Sequence, residues 1–383
     1  MLNPQRLENA LNARGITQVA FASILDVSKS TMSKWINGNH TPRNADSRLE
    51  DISKVLNVPV EWLIGEDFSD TSVSFFRSNA SSTRIGRAVA EARLKWAAEI
   101  LFSFSDWVDY PNVDLPELCS YEEWLKLTDK DIIKIAMRCR KLWKLDNKPI
   151  SDLMFTCEMA GICVIQEELG YSKMDGLSFW YNNRPFIYLN IDKQSACRGR
   201  FNLAHEVFHL IAHRYVPEVD YKKPETYKLI ESQANLFASE LLYPSEQFLD
   251  DLIYPSLDSM LILKRKWKIS LAALVFKAKR LELIDEIKSN NMWRTIGRSK
   301  WKTIEPYDND IPLEKPVLFR QVIDGLLEQG DFTKLDILNN VKLSRNDVEE
   351  ILSLPSQYLN EESGKVIDFY LHKTDKNKTN VYP

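Results

Sequence analysis

Two histidines four residues apart, His205 and His209, fall inside the run Arg200-Phe-Asn-Leu-Ala-His-Glu-Val-Phe-His-Leu-Ile-Ala-His213, whose apolar residues Leu203, Val207, Leu210 and Ile211 recur at helical spacing. On a helix this spacing puts both imidazoles on one face, about one turn or ~6 Å apart, where two ring nitrogens can share one ion. Glu206 projects beside them as a candidate base. His213 continues the stripe, but at a rise of ~1.5 Å per residue it lies ~12 Å from His205, too far for one helix to bring all three rings to one ion. It is expected near the site or on the surface. A second helical run, Glu231-Ser-Gln-Ala-Asn-Leu-Phe-Ala-Ser-Glu-Leu-Leu-Tyr-Pro244, places Glu231 and Asn235 on one face. Two histidines and one carboxylate suit a single catalytic Zn2+ that keeps a fourth position open, with Asn235 orienting an imidazole through its other nitrogen. Glu240 is read as structural, and Arg198, Arg200 and Tyr243 either as structural or as groups that polarise a substrate carbonyl.

With 383 residues, 44% hydrophobic and 27% charged, the chain is long enough for two or three domains with ordinary cores. No apolar run approaches the ~20 residues that span a bilayer, and the first fifteen residues lack the apolar block of a signal peptide, so a soluble, cytoplasmic protein is expected. The five cysteines (Cys119, Cys139, Cys157, Cys163 and Cys197) include no C-x-x-C pair, which argues for reduced, mostly buried thiols over a disulfide framework or a thiolate metal site. A net charge of −4 means that any nucleic-acid contact must come from a local basic face.

Such a face lies near the N-terminus. Thr17 reads as the cap of a short helix with Phe21, Ile24 and Leu25 on its buried side, Asp26-Val27 makes a turn, and Ser28 caps a second helix that ends near Ile36. Met32, Trp35 and Ile36 supply the buried side of that second helix, leaving Lys29, Ser30, Ser33 and Lys34 outward. No carboxylate occurs from Val27 to Ala45, while Lys29, Lys34, His40 and Arg43 do, a local charge that suits phosphates. Lys29 and Ser30 are placed for base edges in a major groove of double-stranded DNA, Gln18 and Arg43 for phosphate oxygens.

The run from Ile16 to Pro42, with Gly38 and Pro42 as punctuation and Val58-Pro-Val-Glu-Trp-Leu-Ile-Gly65 as a last helix, resembles the Cro/CI (XRE-like) helix-turn-helix family over roughly residues 5–65. Asp26 stands where that family usually has Gly, and Asp tolerates the left-handed conformation better than most residues. The two histidine-bearing and glutamate-bearing runs, together with Cys157-Glu-Met-Ala-Gly-Ile-Cys-Val, Asp175-Gly176 and Trp267-Lys-Ile-Ser-Leu-Ala-Ala-Leu, are similar to the ImmA/IrrE (M78-like) metallopeptidase family from about 130 to 285. That resemblance implies one zinc held by two His and a Glu, often beside a repressor-type helix-turn-helix, and in some members cleavage of a repressor. Gln233 stands where a second Glu is common, and Val207-Phe208 are bulkier than the family's frequent small residues, which would tighten the groove.

The expected architecture is multidomain and mainly α. Residues 1–68 form an all-α helix-turn-helix domain and 69–129 a linker, the polar stretch Ser69–Thr83, with a connecting helix over 84–107. Residues 130–290 form an α+β zincin-like domain with a small antiparallel sheet. Residues 291–383 form a helical region, with stretches Val317–Gln329 and Lys334–Leu354 and a disordered end from Lys373. The implied function is a DNA-binding transcriptional regulator joined to a metalloendopeptidase whose substrate is a protein, with paired DNA half-sites suiting a homodimer. The alternative is a regulator whose zinc domain senses or stabilises and cuts nothing.

Overall fold

The computed structural model describes residues 1–40, 45–66, 84–118, 123–170, 174–193, 195–330 and 332–360. Arg43, Cys119, the stretch Ser69–Thr83 and the tail from Lys373 lie outside them. The first helices are α1 (Pro4–Ala13), α2 (Gln18–Ile24), α3 (Lys29–Ile36), α4 (Ala45–Leu56) and α5 (Val60–Ile64). Thr17 Oγ1 accepts from the Ala20 amide at 3.2 Å and Ser28 Oγ from the Thr31 amide at 3.0 Å, so each helix of the α2/α3 pair starts on a hydroxyl that satisfies an otherwise orphan N–H. Between them Asp26 takes φ 52°, the left-handed turn that a Gly would otherwise supply. Phe21, Ala22, Leu25, Met32 and Trp35 are buried, but Ile24, expected beside them, is 56% exposed, since it lies at the margin of the stripe that Phe21 and Leu25 define.

The helix over the expected connector, α6 (Arg84–Ser103), is buried along most of its length, and its Ala90, Ala92, Ala97 and Ala98 let neighbours approach closely. It packs against α1 and against the sheet. Next come α7 (Glu123–Lys126), α8 (Asp129–Leu142), α9 (Leu153–Met159), β1 (Cys163–Glu167), β2 (Gly176–Tyr181) and β3 (Arg184–Asn190). Asn182 and Asn183, both at positive φ, turn β2 into β3 as an antiparallel hairpin with Phe179 opposite Phe186. The sheet is mixed and not wholly antiparallel: β1 lies parallel to β3, Val164 opposite Ile187, in the order β1-β3-β2. Strands buried on both faces read as continuous apolar runs and carry no signal of direction, which is why the sequence did not distinguish the two arrangements.

Alternation along these strands serves two separate cores. Cys163, Ile165, Leu177, Phe179, Phe186 and Tyr188 join the apolar residues of α1–α6 and of the C-terminal helices α17 (Leu318–Gln329), α18 (Lys334–Val341) and α19 (Arg345–Ile351). Val164, Trp180, Ile187 and Leu189 join the other core, with α8, α9, α10 (Ala196–Ala212), α12 (Pro224–Leu242), α13 (Ser245–Asp251), α14 (Leu257–Trp267), α15 (Leu271–Arg280) and α16 (Glu286–Arg298); α11 (Glu218–Tyr221) lies between α10 and α12 in the chain. The helical stretch expected over Lys334–Leu354 divides, because Lys342 adopts φ 58° and Ser344 caps a new helix through the Asp347 amide.

A buried ion-pair network ties the first core together. Asp347 of α19 accepts from Arg14 at the end of α1 (2.6 and 2.5 Å) and from Arg93 of α6 (2.6 Å), and Arg93 also donates to Glu167 at the end of β1. Trp96 of α6 donates to Asn9 of α1 at 2.7 Å. Among the described residues no helix is long and apolar enough to cross a membrane. Cys139, Cys157, Cys163 and Cys197 are buried free thiols.

Candidate metal centre

Helix α10 is seated on the sheet by the even-numbered residues of β2. Trp180 Nε1 donates to the Leu210 carbonyl at 2.9 Å, and one turn earlier Ser178 Oγ donates to Glu206 Oε2 at 2.7 Å. Gly176 completes the row, because a Cβ there would stand 2.9 Å from Glu206 Oε1 and 3.0 Å from its Cγ. An alanine there would press on the Glu206 carboxylate where it now lies. On its other side α10 packs against α12, where the small Ala234 and Ala238 are fully buried and Phe208 stacks on Phe237 at 4.8 Å. Val207 and Phe208 therefore point into the core and do not narrow a groove.

This packing brings His205, His209 and Glu231 together, with one ligand atom from each within 4.8 Å of the others. The two Nε2 atoms are 3.0 Å apart, His205 Nε2 is 3.5 Å from Glu231 Oε2, and His209 Nε2 is 3.7 Å from Glu231 Oε1. Donors bound to a tetrahedral zinc at roughly 2.0–2.1 Å stand roughly 3.3–3.4 Å from one another, so this triangle is the right size. The donor chemistry fits as well. Both Nδ1 atoms have partners on their outer sides, Asn235 Oδ1 at 3.1 Å for His205 and His213 Nδ1 at 2.8 Å for His209. With their protons placed there, the two Nε2 lone pairs face each other, an arrangement that a shared cation relieves. Among the described residues Glu231 Oε1 is buried and receives no hydrogen bond.

Burial opposes charge on His205, but the bond and charge of Glu231, the charge of Glu206 and the contact with Asn235 outweigh it and raise its pKa. His209 moves the other way, well below the usual range, through burial and then the neighbouring rings of His205 and His213. Glu206 is 3% exposed, and burial pushes its carboxyl up to about 7 against the opposing pull of His205 and the Ser178 bond. It stands beside the triad and outside it.

The remaining residues separate clearly. Arg198 pairs with Asp175 at 3.0 Å and Arg200 with Glu314. Glu240 is a buried partner of Lys277 and Arg280, and Tyr243 stacks on Trp267 while donating to Asp251. His213 is neither a fourth corner of the triad nor on the surface: it is fully buried behind His209. Ser178 and Gly176 carry no signal in the sequence that ties them to Glu206, because their relevance depends on which strand lies against α10. In the N-terminal unit Gln18, Lys29, Ser30, Ser33 and Lys34 all lie on α2 and α3, where Gln18, Lys29, Ser30, Ser33 and Lys34 are exposed.

No curated protein matches the chain. Residues 7–63 match the family model described as helix-turn-helix, and residues 157–279, which include every residue of the triad, match the model described as IrrE N-terminal-like domain. The chain thus joins a segment similar to the XRE-like helix-turn-helix family to one similar to the IrrE N-terminal-like, M78 metallopeptidase family.

Proposed function

We propose that this chain is a DNA-binding transcriptional regulator whose second half is a zinc-dependent metalloendopeptidase acting on a partner protein of repressor type. The observation that carries the hydrolytic reading is the convergence of His205, His209 and Glu231 with a fourth side chain, Glu206, beside them and outside the set. A zinc ion held by the triad would supply Lewis acidity, polarising a peptide carbonyl and acidifying water. Glu206 is the proton carrier: its pKa near 7 suits accepting a proton at Oε1 and delivering it to the leaving amine, while Ser178 fixes the carboxylate through Oε2. Asn235 orients His205 from behind. Incubating the zinc-loaded protein with candidate repressor-type proteins and identifying fragments by mass spectrometry tests this reading. One bound zinc without any cleavage would instead support a regulator whose metal senses or stabilises.

The same proposal makes Gly176 a site residue. Gly176→Ala should displace the Glu206 carboxylate and lower turnover on the order of 10²-fold, as misplacements of about 1 Å do, with zinc content unchanged. Equal turnover in the two proteins would remove Gly176 from the site.

On the DNA side, α3 is the reading helix, with Lys29 and Ser30 toward base edges, Ser33 and Lys34 on the same outward face, and Gln18 toward phosphates; Arg43, outside the described residues, is assigned to phosphates on its charge alone. A homodimer would match paired half-sites. Lys29→Ala with Lys34→Ala is expected to weaken binding and to make the plot of log K against log salt shallower by about 0.9 for each phosphate that is no longer neutralised. A fluorescence titration across salt concentrations measures both, and an unaltered slope would show that α3 does not face the phosphates.

A further inference from the structure

Behind the triad runs a buried polar chain that ends on the backbone of a different segment. His213, fully buried at the end of α10, is held edge-on between Phe208 (ring centroids 5.2 Å apart) and Trp124 (6.3 Å). Its Nδ1 is 2.8 Å from His209 Nδ1 and its Nε2 is 2.9 Å from Gln233 Oε1, and Gln233 Nε2 donates to the Trp124 carbonyl at 2.9 Å. The direction of every proton in this chain follows from its far end.

A carbonyl oxygen can only accept, so the amide nitrogen of Gln233 faces Trp124 and its oxygen faces His213. That oxygen can only accept as well, so His213 carries its proton on Nε2. Among the described residues its side-chain hydrogen-bond partners are a neutral amide and another imidazole, neither of which balances a buried positive charge, so the ring is neutral and its Nδ1 is bare. His209 must then donate from Nδ1, which leaves its Nε2 as a lone pair. That Nε2 is the atom that points at His205 and Glu231.

We propose that His213 and Gln233 are positioning residues: a relay anchored on the Trp124 carbonyl fixes His209 in the tautomer and ring orientation that binds metal, and ties the metal site to the segment carrying α7. The inference rests on the reading of His205, His209 and Glu231 as metal ligands. Gln233 is suited to this by its two-ended amide, which accepts from the imidazole and donates to the carbonyl at once. A glutamic acid would do the same if protonated. A leucine of similar size would do neither.

The test uses the full-length protein labelled with 15N-histidine, in which five histidines are to be resolved, together with zinc affinity measured by competition with a chromophoric chelator. In the metal-free wild type, His213 should show a protonated Nε2 and His209 a protonated Nδ1. Gln233→Leu should give mixed tautomers at both rings and a zinc affinity lower by about 10–100-fold, the usual effect of losing a partner behind a metal ligand. Gln233→Glu should restore both below the pH at which the new carboxyl ionises and lose both above it. A wild-type His209 protonated at Nε2, or a Gln233→Leu protein with wild-type tautomers and zinc affinity, would overturn the relay. If the wild type binds no zinc, the metallopeptidase reading fails, and the tautomer pattern of the metal-free protein still decides the relay by itself.

Discussion

Replacing Glu206 with glutamine is expected to reduce hydrolysis of a cognate protein by about 10²–10⁴-fold, the contribution typical of a general base, while zinc content and DNA affinity stay at wild-type levels. The substitution keeps shape and keeps an oxygen for the Ser178 hydroxyl at Oε2, but the amide cannot take up a proton. Because Glu206 lies outside the triad, the three side chains that could hold a metal ion are untouched. Because its carboxyl is already pushed up to about 7 by burial, a neutral replacement strands no charge, and the fold should be at least as stable. The variant is checked by turnover, zinc analysis and thermal melting on the same preparation. Undiminished cleavage would mean that another group carries the proton.

Arg93→Met is expected to have the largest effect on stability, about 3–5 kcal/mol, the range seen when one partner of a buried ion pair is removed. Arg93 is 5% exposed and faces Asp347 and Glu167, both nearly buried, so its loss leaves carboxylates facing each other across the space it filled. Urea unfolding followed by tryptophan fluorescence measures the effect, and a loss below about 1 kcal/mol would place this pair with surface ion pairs. A pH signature accompanies it. Burial disfavours the Asp347 carboxylate, but the bonds and charge of Arg14 and the charge of Arg93 outweigh that and hold its pKa below the usual range. The resulting stability is complete above the unfolded value of about 3.9 and is lost as pH falls through the lower folded value. Without Arg93 the folded pKa rises, so the acid-unfolding midpoint should move to higher pH.

How far the sequence foretold these features depends on how local each one is. The turn at Asp26, the caps at Thr17 and Ser28 and the pairing of His205 with His209 are set within a few residues, and each is found where spacing and side-chain chemistry place it. The approach of Glu231 depends on two helices packing through Ala234 and Ala238, a contact between separate segments. Features that depend on distant partners were less legible. The parallel pairing of β1 with β3, the burial of α6 and the place of His213 behind His209 follow from long-range packing. Ile24 shows the same limit at small scale, since its helical phase alone does not say how wide the covered stripe is. Gln233 was visible as a departure from a family pattern, but its purpose appears only once the Trp124 carbonyl lies opposite it.

The two-sided sheet has a practical consequence for anyone who shortens this chain. Ending it before Leu318 would remove Phe319, Ile323, Ile337, Val348 and Ile351 from the core that also holds Phe21, Trp35 and Trp62, and would take away the Asp347 counter-charge of Arg14 and Arg93. The amputated region is remote in sequence from the N-terminal reader yet props it up, so the damage should register first at the opposite terminus. The helices bearing His205, His209 and Glu231 draw on the other core and would feel it least.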